Sequence, residues 1–246
     1  MKKYRMKNNQ KNKRTTPEFP PSGARGLVKV CGMKYVDNIQ QVADLEPDYL
    51  GFIFYEKSKR NFEGIIPEIS KSIKKTGVFV NEIPEIVVSL VDEYQLQAIQ
   101  LHGDESVEYI QQIKRLFEER FEALSPKLKR TTKPVEIIKV FGIKDEFDFS
   151  VLQVYEDEVD FFLFDTKGKE RGGNGVTFDW TVLKDYNAKV PFFLSGGIGL
   201  EEVQQVKDIL KTDLPVYAID VNSRFETKPG LKSIEKLKKF KAELKA

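Results

Sequence analysis

The lone cysteine of this chain is the first residue whose type and position could do chemistry. Cys31 is the only cysteine in 246 residues, and it ends the short run Val28–Cys31 directly before a glycine. If that run is a strand, the alternation of side chains places Lys29 and Cys31 on the same face. A neighbouring lysine favours a reactive thiolate, whereas most free cysteines are inert core residues. The other strand ends must decide between these interpretations.

Several other strand-like runs also end in a polar residue. Asp165, Ser195 and Asp220 each continue the inward-facing positions of an apolar run, and Gln100 does so in a run that continues to His102. Because the carboxyl ends of barrel strands meet at one rim, we expect these side chains to converge. His102, the only histidine, is predicted to pack behind the site rather than to catalyse. With a single cysteine it matches no metal-binding motif, so no metal is expected.

Loops of small and polar residues follow the last three predicted strands, and the first two of these loops contain glycine. They read Gly172–Gly175, Ser195–Gly197 and Asp220–Ser223. Glycines let backbone N–H groups approach an anion closely, and the loops after strands seven and eight often hold phosphate in barrels. A phosphorylated small molecule is therefore the expected partner. The candidate substrate-binding residues here are Gly173, Gly175, Ser195, Gly196, Gly197, Asp220, Asn222 and Ser223.

A polar loop after the second strand supplies a candidate for a second substrate group. Arg60 lies in this loop, across the predicted barrel from the glycines. A guanidinium can hold a carboxylate with two parallel hydrogen bonds. A single arginine is more often a solvated charge, so its role depends on the surrounding motif.

Strand-like and helix-like segments alternate through residues 28–246 and position these groups. Eight strand–helix units, with strands apolar on both faces, favour a single (β/α)₈ barrel domain. The helical units include Pro67–Lys75 and two weaker segments, Phe147–Tyr155 and Asp179–Tyr186. The alternative is an open doubly wound sheet, but no G-x-G-x-x-G follows the first strand.

The amino-terminal segment differs from the rest in charge. Residues 1–27 hold eight Lys or Arg and one Glu, so the net charge of +2 leaves −5 on residues 28–246. The segment is predicted to be a disordered basic extension. A single cysteine fits a reducing compartment, no apolar run reaches the ~20 residues of a membrane span, and we expect a cytoplasmic protein. We expect no nucleic-acid or membrane partner.

A series of motifs in chain order identifies a family. Together they resemble phosphoribosylanthranilate isomerase of tryptophan biosynthesis. The motifs are Val30–Met33, Gly51–Tyr55 with Lys57–Arg60, Gly77–Asn81, Gln100–Glu105, Phe164–Thr166, Gly172–Trp180 and Leu194–Gly197.

The resemblance implies a cofactor-free Amadori rearrangement on a (β/α)₈ barrel, in a monomer or a homodimer. By position, Cys31 matches the general base, Asp165 the general acid and Arg60 the residue that holds the anthranilate carboxylate. The glycine loops match the phosphate site. Asn222 and Arg224 stand where many members have serine and glycine, and Ser233 where aspartate is common, so the amides facing the phosphate are in doubt.

That chemistry sets an expectation for two pKa values. Asp165 must be protonated, above its ordinary pKa of about 4, and Cys31 ionised, below its ordinary pKa of about 8.5. Burial would raise the pKa of Asp165. Lys29, on the same face as Cys31, is expected to lower the pKa of the thiol.

Two other functions are compatible with part of this pattern. The histidine-pathway isomerase performs the same rearrangement on a different substrate, with two aspartates, one of them at the end of strand one. This chain has a cysteine at that position, which argues against that function. A non-catalytic barrel whose basic extension binds nucleic acid would show salt-sensitive binding that is lost without residues 1–27. The acidic remainder of the chain does not favour it.

Overall fold

Eight parallel strands close into a barrel in sequence order, so the barrel prediction is confirmed and the open sheet is wrong. The computed structural model describes residues 26–125, 133–144, 146–166 and 177–246, and the basic extension up to residue 25 lies outside them. The strands are β1 (Leu27–Val30), β2 (Tyr49–Phe54), β3 (Lys74–Phe79), β4 (Ala98–Leu101), β5 (Glu136–Ile143), β6 (Phe161–Thr166), β7 (Phe192–Leu194) and β8 (Val216–Val221).

Helices cover the outside of the barrel within the described ranges. The α-helices are α1 (Val36–Ala43), α2 (Pro84–Tyr94), α3 (Val107–Ala123), α4 (Val203–Leu210) and α5 (Ile234–Lys245). Ser106 and Ser233 cap α3 and α5 by accepting hydrogen bonds from backbone N–H groups of the first turn. After β8 the chain forms a 3₁₀ turn (Ser223–Phe225) and a small antiparallel hairpin of β9 (Glu226–Lys228) and β10 (Leu231–Lys232).

The predicted helix at Pro67–Lys75 is wrong. Lys74–Thr76 pair with Tyr49–Gly51 of β2 and so lengthen β3 at its start. Phe62, which precedes this segment, packs its ring 5.0 Å from that of Phe52. The two weaker helical segments are 3₁₀-helices, at Phe149–Tyr155 and Trp180–Asp185.

The core has two compartments. One lies between the strands and the helices, and the other fills the barrel interior with Tyr49, Phe161, Leu163, Phe193 and smaller residues. Above this apolar plug, toward the carboxyl ends of the strands, the buried interior residues become polar: Lys29, Gln100, Asp165 and Asp220. Among the described residues no helix is long and apolar enough to span a membrane.

Candidate active site

A pocket of about 370 Å³ opens at the carboxyl ends of the strands. Its apolar wall includes Ile53, Val78 and Val80. Gly173 and Gly175, also predicted for the site, lie outside the described residues. The pocket brings together the other predicted residues: Cys31, Arg60, Asp165, Ser195, Gly196, Gly197, Asp220, Asn222 and Ser223.

Cys31 directly follows β1 and is buried against a glycine of β2. Its backbone N–H donates to Val221 of β8, 2.9 Å away. A Cβ atom on Gly51 would lie 2.8 Å from the Cys31 Sγ, so only glycine leaves room for the thiol. A glycine inside an otherwise apolar strand is the sequence signal for such close packing.

The expectation that the pKa of Cys31 lies below its ordinary value is wrong, although Lys29 acts on that pKa in the expected direction. Burial raises the pKa of the thiol, and the opposing effects of the Lys29 and Lys232 ammonium groups do not offset it. Strand alternation placed Lys29 beside Cys31 correctly, but it gave no measure of how deeply both groups are buried. In the substrate-free protein the thiol form therefore predominates.

Asp165 lies in β6, which β7 and β8 separate from β1. One carboxyl oxygen accepts the Thr166 N–H at 2.8 Å. Burial, together with the negative charge of Asp220, raises the pKa of Asp165 to about 6. This is the direction expected of a general acid.

A chain of buried polar groups connects the two sides of the pocket. Lys29 Nζ donates to Asp220 Oδ1 (3.0 Å) and to Gln100 Oε1 (2.7 Å). Because the Gln100 carbonyl is thus occupied, its amide donates to His102 Nδ1, 3.0 Å away. His102 therefore carries its proton on Nε2, which lies 3.6 Å from Asp165 Oδ2. His102 thus lines the pocket beside Asp165, and its supporting role stays a prediction.

The loops after β7 and β8 form one wall. Gly196 has a φ of +94°, and a Cβ there would lie 2.3 Å from Thr166 Oγ1, so the loop requires glycine. The Ser195 Oγ lies 3.5 Å from Asp165 Oδ1. Arg224 places its guanidinium 3.4 Å from Glu201.

Arg60 is held by a residue that the sequence analysis did not select. Its Nε and Nη2 donate to Glu226 Oε1 and Oε2 at 2.8 and 2.7 Å. Lys232 donates to the same carboxylate, 2.7 Å from Nζ to Oε1. No local sequence signal marked Glu226, which lies three residues beyond the predicted loop Asp220–Ser223. Its pairing with a residue 166 positions away is a tertiary contact that local spacing does not reveal.

In the described part of the chain, no group of three or more His, Cys, Asp or Glu side chains could hold a metal ion.

Comparisons with known proteins give one consistent result. The family model for N-(5'-phosphoribosyl)anthranilate isomerase matches residues 28–126 and 122–243. A relative of that name from Parabacteroides distasonis is 39% identical over 221 residues, which are 87% of this chain and 91% of the relative.

Two solved structures extend the comparison. A phosphoribosyl anthranilate isomerase in complex with reduced 1-(o-carboxyphenylamino)-1-deoxyribulose 5-phosphate is 29% identical, with a TM-score of 0.68 over 89% of this chain and 98% of the other. Monomers generated from the dimeric enzyme of Thermotoga maritima are 28% identical, with a TM-score of 0.64 over the same shares.

The fold and the pocket place this chain among the (β/α)₈-barrel enzymes, whose active sites lie at the carboxyl ends of the strands. More narrowly, the match shows that the chain belongs to the N-(5'-phosphoribosyl)anthranilate isomerase family. It is an isomerase of tryptophan biosynthesis, and the two-aspartate histidine-pathway alternative is set aside.

Proposed function

We propose that this chain converts N-(5'-phosphoribosyl)anthranilate into 1-(2-carboxyphenylamino)-1-deoxyribulose 5-phosphate, with Cys31 as general base and Asp165 as general acid. The observation that carries the assignment is that both groups, from β6 and from the end of β1, line one pocket. The reaction needs an acid and a base on different sides of a sugar, and this placement supplies both.

The steps follow from the chemistry of the aminosugar. Asp165 gives its proton to the ring oxygen, the C1–O bond breaks, and the anilino nitrogen lone pair forms an iminium. Cys31 takes the proton from C2, and the C–H electrons form a C1=C2 enolamine. Loss of the O2 proton and gain of a proton at C1 give the ketose. No cofactor takes part.

The rest of the pocket supports substrate binding. Arg60 binds the anthranilate carboxylate, and the apolar wall of Ile53, Val78 and Val80 contacts its ring. Backbone amides of Gly196, Gly197 and Ser223, with the side chains of Ser195 and Asn222, bind the phosphate. Gly173 and Gly175 are assigned to the same phosphate site, and Asp220 orients the pocket floor through Lys29.

The pKa shifts give the reaction an unusual starting condition. At pH 7 the predominant free enzyme has an ionised Asp165 and a protonated Cys31, the reverse of the reactive state. The two states differ only in the position of one proton. The pH profile of kcat/KM is bell-shaped in either case, so thiol titration by alkylation rate is the measurement that separates them.

The direct test follows the loss of substrate fluorescence with the purified chain. Cys31→Ser and Asp165→Asn should each lower kcat by roughly 10²–10⁴-fold, the usual contribution of a general acid or base. Asp160→Asn, a carboxylate of the loop before β6 that accepts a backbone N–H, is the matched control and should keep normal turnover. Near-normal turnover of either site variant would overturn its assignment.

Assembly and location belong to the same proposal. We assign the chain as a monomer or a homodimer, supported by the existence of a dimeric relative in Thermotoga maritima. A cytoplasmic location fits its place in amino-acid biosynthesis. Light scattering of the purified protein measures the first, and cell fractionation the second.

A further inference from the structure

Three charged side chains meet where the loop after β2 touches the β9–β10 hairpin: Arg60, Glu226 and Lys232. We call them the mouth triad. Glu226 lies between the two cations and accepts from Arg60 Nε (2.8 Å), Arg60 Nη2 (2.7 Å) and Lys232 Nζ (2.7 Å). The Gly230 N–H donates to Glu226 Oε1 at 2.9 Å. Both carboxylate oxygens are therefore fixed.

All three side chains of the mouth triad are buried, so the sum of their charges affects what can bind beside them. The side chains of Lys232, Glu226 and Arg60 are 0%, 5% and 13% exposed. Two cations and one anion leave a net charge of +1 beside the pocket. That charge favours the approach of an anionic group of the substrate.

Lys232 is anchored independently of Glu226. Asn38 of α1 bonds both the N–H (2.7 Å) and the C=O (3.0 Å) of Lys232, and Asn222 Oδ1 accepts from its Nζ at 2.7 Å. The hairpin therefore presents Glu226 from a rigid support. Arg60, in contrast, comes from a loop and has a long side chain whose ordering costs conformational entropy.

We propose that Glu226, backed by Lys232, is a positioning residue that holds the Arg60 guanidinium ready for the substrate carboxylate. The inference rests on the proposed role of Arg60. A guanidinium has two edges that can each bind a carboxylate, and Glu226 takes the edge formed by Nε and Nη2. This pairing sets the direction in which the other edge of the guanidinium faces.

The proposal and a simple charge effect give opposite expectations for Glu226→Gln. The variant raises the net charge beside the pocket, so charge alone would strengthen anion binding. Loss of orientation would weaken it, because the strongest hydrogen bonds to the arginine are removed.

The test measures binding of two probes. One is reduced 1-(o-carboxyphenylamino)-1-deoxyribulose 5-phosphate, and the other is the same molecule without its carboxyl group. In Glu226→Gln the affinity for the carboxylated probe should fall about tenfold, and that for the other probe should change less than about twofold. Glu226→Asp, which keeps the charge but shortens its reach, should give an intermediate loss.

Two further variants distinguish a failure of the positioning role of Glu226 from a failure of the role proposed for Arg60. Glu136→Gln removes a carboxylate from an ion pair at the opposite end of the barrel and should change neither affinity. Arg60→Ala should abolish the preference for the carboxylated probe. Unchanged or tighter binding by Glu226→Gln, or an equal loss for both probes, would overturn the positioning role. If Arg60→Ala kept the preference, the proposed role of Arg60 itself would be wrong.

Discussion

The barrel interior holds a lysine–carboxylate pair at each end, and the two differ in their surroundings. Near the mouth, Lys29 and Asp220 are 0% and 5% exposed and 3.0 Å apart. At the base, Lys74 and Glu136 are 36% and 24% exposed and 2.5 Å apart. Desolvation makes the inner pair expensive to break, while solvent screens the outer pair. The same pair of chemical groups therefore lies beside the pocket at one end of the barrel and contributes to local packing at the other end.

The largest effect is expected from breaking the mouth pair. Lys29→Met leaves the Asp220 carboxylate buried without its cation, and removing one partner of a buried pair costs about 3–5 kcal/mol of unfolding free energy. Urea denaturation measures this loss. The double variant Lys29→Met/Asp220→Asn should recover at least half of it. A double variant as unstable as the single one would contradict the comparison.

The second-largest effect is expected at Asp165, where a substitution should raise the free energy of unfolding at pH 7 instead of lowering it. Its pKa of about 6 in the fold exceeds the ordinary 3.8, so its contribution to stability is fully present below pH 4 and is lost as pH rises through 6. Asp165→Asn should therefore exceed wild type in unfolding free energy at pH 7, by roughly 2–3 kcal/mol, and lose that advantage at pH 4. Denaturation at both pH values measures it. A gain independent of pH would contradict a burial origin.

The Lys29–Asp220 pair and Asp165 also show how far the sequence could predict the site. Apolar strand runs that alternate with helices predicted the barrel, and polar residues at strand ends predicted Cys31, Asp165 and Asp220 at one pocket. The strand register agrees with the predicted alternation of side chains, since Lys29 of β1 lies opposite Asp220 of β8. The alternation of side chains along a strand shows which face a residue is on, but not how deeply it is buried. The depth of burial decides the direction of the Cys31 pKa shift.

Other errors have a tertiary origin. Pro67–Lys75 was predicted to be a helix, but its last two residues, Lys74 and Lys75, pair with β2 as part of β3. Glu226 and Lys232 lie on a hairpin that the alternation of strands and helices did not predict. Their contact with Arg60 brings together segments about 166 residues apart.

A smaller effect tests the charge of the mouth triad. Burial lowers the pKa of Lys232 to about 8 against the raising effects of Glu226 and Cys31, with Arg60 adding to the decrease. Above pH 8 the triad loses its net positive charge, so the carboxylated probe should bind up to about tenfold more weakly at pH 9.5 than at pH 7. Titration calorimetry measures this. In Lys232→Met the dependence should be much smaller, and an equal dependence would assign it to another group.

The smallest effect is expected at the base of the barrel. Lys74 Nζ also donates to the Tyr49 hydroxyl at 2.9 Å and lies 4.9 Å from the centre of its ring, so Lys74→Met removes several contacts at once. Because the group is partly solvated, the loss should stay near or below about 1 kcal/mol, and kcat and KM should stay at wild-type values. Urea denaturation and steady-state kinetics measure the two. A loss as large as that of Lys29→Met would show that exposure is not what distinguishes the pairs, and a changed kcat would mean that the base of the barrel is coupled to the site.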